Sequence, residues 1–424
     1  MIIMKVCVIS FSDNRGGAAK AANRQVKAIK KYCPDWSVNF LVAEKISNDD
    51  SIIGPNKLDK TIHFFLRVMS FLITKLQITK NKSKHSLNIF SSRHVINSID
   101  YSSDVIHLHW FNNDTISLSK LMGILSEYKG KIVITMHDDW LFCGLEHSSY
   151  ESVRFIDGYH ANNSDNLLLD LDRAIFNKKL KIKSLLERKK VILTTPSLWM
   201  LKRASSSLLL RNANLKYVPN IIDCDLFKPY PKLGCRHKLE ISNESFVISF
   251  GAVGGVSNPL KGYDLLIRVL NHLNKNYTEM KCVELLVFGG DTQCKESLCG
   301  FNITYTGVIE STEDMAMLYS SADLVLVPSL IESFGQVAAE SLACETPVIA
   351  FDNSGVSEVI RDNGGIIIDA FDIEEFSKSI FSFYSLSELE RRSMGRKGRL
   401  AMIKKYSPET VSAKWKDVYC DDNK

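Results

Sequence analysis

ADLVLVPSLIESFGQVAAESLACETPVIAF, residues 322–351, is the stretch that decides how this chain folds. It divides into an apolar run at 324–327, a polar turn carrying Glu332, a small-residue helix carrying Glu340 and a second apolar run at 348–351. Strand, turn, helix and strand make one βαβ unit of a parallel sheet, whose strands are buried on both faces and therefore read as continuous apolar runs. In open α/β sheets ligands bind at the carboxyl ends of the strands, where this turn places Glu332. The helix opens near residues 333–335, so its unpaired N–H groups and the positive end of its dipole face the same crevice and favour an anion there. Glu340 lies further along the helix, out of reach of a phosphate but able to accept from hydroxyls. Two glutamates eight residues apart are a weak signal alone, and an ordinary βαβ crossover with a solvated pair also accounts for them.

Outward from this unit the same alternation continues. Apolar runs at 5–11, 36–43, 104–110, 131–136, 191–195, 246–251, 284–289, 303–307 and 366–368 predict further strands separated by helical stretches. At 424 residues, two domains are expected. Hydrophobic 45% and charged 24% are globular proportions that imply neither disorder nor a membrane channel. The net charge of +5 suits an anionic small molecule or a bilayer surface; nucleic acid is not expected, since there is no finger, basic zipper or aromatic-basic platform. The ten cysteines are scattered without C-x2-C spacing, so metal and disulfide readings are both poor and a reducing cytosol fits best. MIIMKVCVIS runs straight into a strand without the features of a signal peptide.

Four other places carry polar residues where a strand ends or a helix begins. Gly16 and Gly17 follow the first strand and either let the backbone approach a ligand or form a tight strand-to-helix turn. The strand at 104–110 ends in His107, His109 and Trp110, and that at 131–136 leads into His137, Asp138, Asp139 and Trp140, which either meet a ligand or cap the next helix. Lys261 precedes a helix-opening glycine, where an ammonium opposes the dipole unless an anion is present. Residues 61–90 are apolar and then basic: too short to span a bilayer, they read either as an interfacial helix or as a helix packed on the sheet with a solvated lysine face.

PSLIESFGQVAAESLACETPVIAF resembles the E-x7-E signature of retaining glycosyltransferases of family 4, and the segment through TMHDDWLFCGLEH is similar to a bacterial subgroup that builds surface polysaccharides. The resemblance covers nearly the whole chain. It implies the GT-B fold, an α/β architecture of two facing Rossmann-like domains with a deep cleft: residues 1–217, a linker at 218–230, residues 231–407, and a last helix, about 408–424, returning to the first domain. It implies a hexosyltransferase that moves a sugar, with retention, from a UDP- or GDP-sugar to a hydroxyl of a lipid-linked or free glycan acceptor, in O-antigen, capsule or exopolysaccharide synthesis. The diphosphate leaves from the front face, and its own oxygen takes the acceptor proton. By the same resemblance Glu332, Ser333, Phe334, Gly335 and Gln336 hold the donor sugar, Glu340 the ribose, Lys261 with Gly16 and Gly17 the diphosphate, and the turn at Gly307 the base. His137 is expected near the reacting carbon, and His137, Glu332 and Lys261 are the expected catalytic residues. No cofactor or metal is expected, and Asp223-x-Asp225 lies in the linker. The location implied is the cytoplasm, with the anionic inner face of the inner membrane as a docking surface if 61–90 is interfacial.

This chain departs from the family at three points. Glu345 stands where glycine is usual, which predicts a different turn; no arginine accompanies Lys261 near 254–256; and the cysteine-rich insert common after 143 is absent. A GT-B nucleotide-sugar epimerase and a catalytically idle nucleotide-sugar-binding subunit are the alternative functions.

Overall fold

Each of these apolar runs forms a strand, and with Ile52–Ile53, Leu215–Tyr217 and Gln293–Leu298 they assemble into two seven-stranded sheets. The computed structural model describes residues 4–149, 152–251 and 254–421. Met1–Asn220 with Val411–Lys424 make one compact unit and Ile221–Thr410 the other. In the first unit the strand order is Ile52–Ile53, Trp36–Glu44, Met4–Ser12, Val105–His109, Lys131–Thr135, Val191–Thr195, Leu215–Tyr217, with every pair parallel. In the second it is Gln293–Leu298, Phe301–Gly307, Val283–Phe288, Phe246–Gly251, Leu324–Val327, Val348–Asp352, Gly365–Asp369, with only the first pair antiparallel.

Both sheets reverse their winding beside the strand that opens them. In the first, Met4–Ser12 lies next to Val105–His109; in the second, Phe246–Gly251 lies next to Leu324–Val327. A crevice at the carboxyl ends of the strands forms at such a switch point, because the crossover helices on its two sides leave in opposite directions. The strands meeting there are fully buried: Val8, Ile9, Leu108, Leu324 and Val325 expose nothing. Burial on both faces is what makes these strands rigid supports for the loops they carry.

The hairpin of Gln293–Leu298 with Phe301–Gly307 turns at Cys299 and Gly300, both left-handed at φ 54° and 82°. Its first strand is an exposed edge without an apolar run, so the sequence gives no sign of it. The boundary between the two units, Asn220 with Ile221, falls inside the expected linker at 218–230, and the part after it is packed. Ile222, Cys224 and Phe227 are buried in the core of the second unit, and Arg399 donates to the carbonyls of Cys224, Phe227 and Ala343. The stretch is a packed strap because it carries apolar residues at 221, 222, 224 and 227. Asp223, in the D-x-D of this strap, accepts from the amides of Asp225 and Leu226 and so caps a turn.

The last helix is Pro408–Cys420, and its part from Val411 onward belongs to the first unit; residues 422–424 of the expected 408–424 helix lie outside the described residues, as do Ala252 and Val253 of the loop before Lys261. Tyr419 sits against Trp36, 5.8 Å between ring centroids, and its hydroxyl is 2.6 Å from Nδ1 of buried His107.

The turn at Glu345 is a correction. Glu345 has φ 62°, so the chain keeps the left-handed conformation that glycine would favour. Packing enforces it: a Cβ on Gly395 of the helix Glu388–Tyr406 would collide with the Glu345 carbonyl, which fixes that peptide from behind. A left-handed non-glycine residue costs about 1–2 kcal/mol. Glu345→Gly is therefore expected to raise stability by about 1 kcal/mol after the entropy of the added glycine is set against it, read as a higher urea midpoint at unchanged m. A lower midpoint would mean that the Glu345 side chain makes contacts that outweigh the strain.

Candidate active site

Lys261 and Glu332 come from loops after neighbouring strands of the second sheet, on the two sides of its switch point. Asn258 caps the short turn Pro259–Lys261 by accepting from the Leu260 amide, and Gly262 then turns left-handed at φ 74° to start the helix Tyr263–Asn276. A Cβ at Gly262 would run into the Pro328 carbonyl, so glycine lets this loop lie directly on the loop after Leu324–Val327. The Leu330 amide donates to the Leu260 carbonyl at 2.9 Å and locks the two together. Lys261 Nζ then reaches Glu332 Oε1 at 2.6 Å, and Ser329 Oγ donates to the same oxygen at 3.0 Å. Both members of the pair are partly exposed, 23% and 15% for their side chains, so the pair borders solvent and an incoming ligand can share it.

The rest of the turn is held from the next strand. Asn353 Nδ2 donates to the carbonyls of Ser329 and Leu330, both at 3.0 Å, and the Gly355 amide donates to the Glu332 carbonyl at 2.8 Å. Phe334 is buried and meets Tyr406 edge-on, which anchors the turn in the core. Gly335 caps the helix Gln336–Ala343 with φ 98°, and a Cβ there would lie 2.8 Å from Val356 Cγ2. This cap has no side-chain oxygen to offer, and the helix end faces the loop that carries Glu332. Ser333 and Gln336 lie on either side of this turn. Glu340 sits in the helix, 8% exposed, and accepts from the Tyr319 hydroxyl at 3.2 Å. Gly307, at φ 74°, ends its strand with the Gln293 side chain beside it.

The first unit holds the remaining expected residues at the carboxyl edge of its own sheet. Gly16, at φ 85°, caps the helix Gly17–Tyr32, and open space surrounds the position of its missing Cβ. The glycine thus serves the backbone angle and leaves room above the turn. His137 Nε2 lies 2.9 Å from His109 Nδ1, and the two rings stack at 5.2 Å. Burial pushes His137 down to about 4 and His109 well below the ordinary imidazole value, so both are neutral at pH 7. His109 Nε2 is buried with no partner. An acceptor tolerates that better than an N–H donor does, so His109 donates from Nδ1 and His137 keeps its proton on Nδ1.

The aspartates after His137 have structural work. Asp138 caps the turn Asp139–Phe142 by accepting from the Trp140 amide, as the capping alternative expects. It also accepts from Trp110 Nε1 and His147 Nδ1, both at 2.6 Å, and these bonds hold its carboxyl below the ordinary value although burial works to raise it. Asp139 is buried against Arg203 at 2.8 Å. Among the described residues no group of three His, Cys, Asp or Glu side chains is placed to hold a metal ion. Sequence reasoning misses Lys84, whose ammonium lies 4.3 Å from the Trp110 ring centre, and His147; neither stands in a spacing that signals a partner. Trp110 itself is left-handed at φ 35°, strain of the kind that collects at functional edges.

Where the cysteine-rich insert is missing, a buried polar core replaces it. Lys179 donates to the carbonyls of Trp140, Cys143 and Gly144, and burial pushes its ammonium down to about 7. Glu146, raised to about 8 by burial and by Asp172, accepts from the Tyr159 hydroxyl.

Residues 238–401 match the family described as Glycosyl transferases group 1. Among curated proteins the chain is similar to the D-inositol 3-phosphate glycosyltransferases of Segniliparus rotundus, 33% identical over 43% of this chain and 41% of that protein, and of Mycobacterium sp. (strain KMS), 32% identical over 39% and 38%. The matched part thus spans about two fifths of those relatives, 41% and 38% of their lengths. Whole-chain similarity comes from solved structures. Sucrose-phosphate synthase from Thermosynechococcus elongatus has a TM-score of 0.65 at 16% identity, over 98% of both chains. Anabaena HepE in complex with UDP and glucose has a TM-score of 0.63 at 15% identity, over 99% of this chain and 100% of that one. The chain has the GT-B fold, and its second unit carries the glycosyl transferases group 1 match.

Proposed function

We propose that this chain is a retaining glycosyltransferase that moves a hexose from a UDP- or GDP-sugar to a hydroxyl of a glycan acceptor, lipid-linked, in the building of a bacterial surface polysaccharide. The observation that carries the reading is the Lys261–Glu332 pair, 2.6 Å apart at the switch point of the second sheet and beside the open end of the helix Gln336–Ala343. A cation and a helix N-terminus together stabilise a diphosphate as it leaves, while the carboxylate beside them accepts from sugar hydroxyls. Glu340, one helical turn further in, takes the ribose hydroxyls. His137 serves the sugar near its reacting carbon. The similarity of HepE bound to UDP supports the donor class, and the surface-polysaccharide role rests on the resemblance through TMHDDWLFCGLEH. A second acceptor, an inositol phosphate, is favoured by the similarity to the D-inositol 3-phosphate glycosyltransferases.

The test is a panel of nucleotide sugars scored first by thermal shift, since a ligand that binds only the folded state raises its melting temperature, and then by product formation with glycan-lipid or inositol phosphate. No shift with any nucleoside diphosphate would overturn the donor reading. Free sugar or an epimer without acceptor would point to the epimerase, and binding without any turnover to an idle subunit. Within this assay Glu340→Ala is expected to weaken nucleoside diphosphate binding by about 1.5–3 kcal/mol, the range for hydrogen bonds to a charged group. Tyr319→Phe, which removes the hydroxyl that now orients Glu340, should cost less. Equal affinity in a folded Glu340→Ala protein would remove Glu340 from the site.

A further inference from the structure

The helix Lys57–Thr74 is built inside out. Its buried residues are polar, His63 and Ser70, and Arg67 lies with them against the protein. His63 Nε2 donates to the carbonyls of Asp114 and Asn113, and Arg67 stacks 4.7 Å from the centre of the Phe11 ring at the end of the first strand. Leu66 and Ile73 are partly buried, Ile73 against the first core, but most of the apolar residues point away from the protein: Phe65 is 61% exposed and Leu72 60%, with Leu58, Met69, Phe64 and Phe71 also open. Leu58, Phe65, Met69, Leu72 and Leu76 follow helical spacing and form one exposed stripe, while the opposite face packs on the first unit.

An apolar stripe of this size left in water marks a contact surface. Its surroundings say with what. Residues 57–84 hold Lys57, Lys60, Arg67, Lys75, Lys80, Lys82 and Lys84 against Asp59 alone. A second copy of the chain docking face to face through a two-fold axis would set these cations against each other. An anionic bilayer offers both complements, acyl chains for the stripe and phosphates for the lysines. No helix among the described residues is long and apolar enough to cross a membrane, so this one would lie in the interface. Beside it a cavity of about 490 Å³, lined by Phe64, Phe71, Arg67, Lys84 and Asp114, joins apolar wall to two cations and one carboxyl.

We propose that Lys57–Thr74 and the lysines after it dock the first unit on an anionic bilayer surface. This goes beyond the donor reading and stands without it. The helix lies over the carboxyl edge of the first sheet, touching the end of Met4–Ser12 and the loop after Val105–His109, the edge that also carries His137. Docking therefore holds that edge near a lipid-borne molecule.

The test is sedimentation of the full chain with vesicles of phosphatidylglycerol and phosphatidylcholine, against phosphatidylcholine alone. The chain is expected to pellet with the anionic vesicles and to be released by salt. Each of Lys75→Gln, Lys80→Gln and Lys82→Gln should weaken partitioning by about fivefold, from ~1 kcal/mol per lysine near the surface. Phe65→Ser with Leu72→Ser, both exposed in the folded protein, should abolish pelleting while leaving the monomer and its melting temperature in place. A wild type that stays in the supernatant overturns the proposal, as does a dimer by light scattering that Phe65→Ser turns into a monomer. The thermal shift with nucleoside diphosphate is run on the same variants: its retention alongside lost pelleting separates membrane docking from the donor site.

Discussion

Lys261→Ala is expected to lower kcat/KM for the nucleotide sugar by about 10²–10³ and to weaken binding of the nucleoside diphosphate as well, because an electrostatic donor at the leaving group acts on ground and transition state together. The geometry makes the loss larger than that of one cation. Lys261 is held by Glu332 at 2.6 Å, so removing the ammonium leaves a carboxylate beside the place proposed for the diphosphate. The repulsion is separable. Lys261→Ala with Glu332→Gln should bind the diphosphate better than Lys261→Ala alone, a coupling that a double-mutant cycle reads directly. Glu332→Gln alone frees the ammonium, and is expected to retain diphosphate affinity while losing turnover if its carboxylate holds the sugar as proposed. Calorimetric titration of the four proteins decides the matter: if Lys261→Ala binds the nucleoside diphosphate as the wild type does, Lys261 has no part in the site.

The Lys261–Glu332 pair also marks how far the amino-acid sequence can be read by itself. Continuous apolar runs identify the parallel strands, and polar residues at their carboxyl ends mark the edges where Lys261, Glu332 and His137 stand. The pairing is not legible in that way. It depends on Gly262 lying against the Pro328 carbonyl and on the amide of Leu330 reaching Leu260, contacts 66 and 70 residues apart along the chain that no local pattern encodes. The backbone at Glu345 escapes for a related reason. A residue's identity suggests its backbone angle only when nothing else decides it, and here the close packing of Gly395 does. The strap at 221–227 reads as a linker from its two aspartates and from Pro219 and Pro229 on either side, although its apolar residues bury it in the second core. The helix Lys57–Thr74 is a different case: its apolar and basic texture is plain, but texture does not tell which face turns inward, and His63 and Arg67 set that by finding carbonyl and aromatic partners in the first unit.

His137→Ala is expected to reduce kcat by about 10²-fold while leaving the affinity for a nucleoside diphosphate, which lacks the sugar, within a factor of two. The direction follows from the state of the imidazole. Burial holds His137 near 4, far below its ordinary 6.5, so it is neutral across pH 6–8 and acts as a hydrogen-bond donor rather than a cation. Its donor is Nδ1–H, because Nε2 accepts from His109. The rate should therefore show no inflection near 6.5 from this group, and the acid limb should appear only as the pH falls towards 4, where protonation breaks the bond from His109. Because the folded value is the depressed one, the neutral pair contributes stability above the unfolded value and loses it as the pH falls from about 6.5 towards 4. His109→Gln offers the positioning control. An amide can still donate to His137, so turnover should survive in part, whereas His109→Leu removes the donor, frees the His137 tautomer and should lower kcat without touching KM. A bell-shaped profile centred near 6.5, or a His137→Ala protein that binds the bare nucleoside diphosphate tenfold more weakly, would show that His137 acts as a cation on the diphosphate and not as a neutral donor to the sugar.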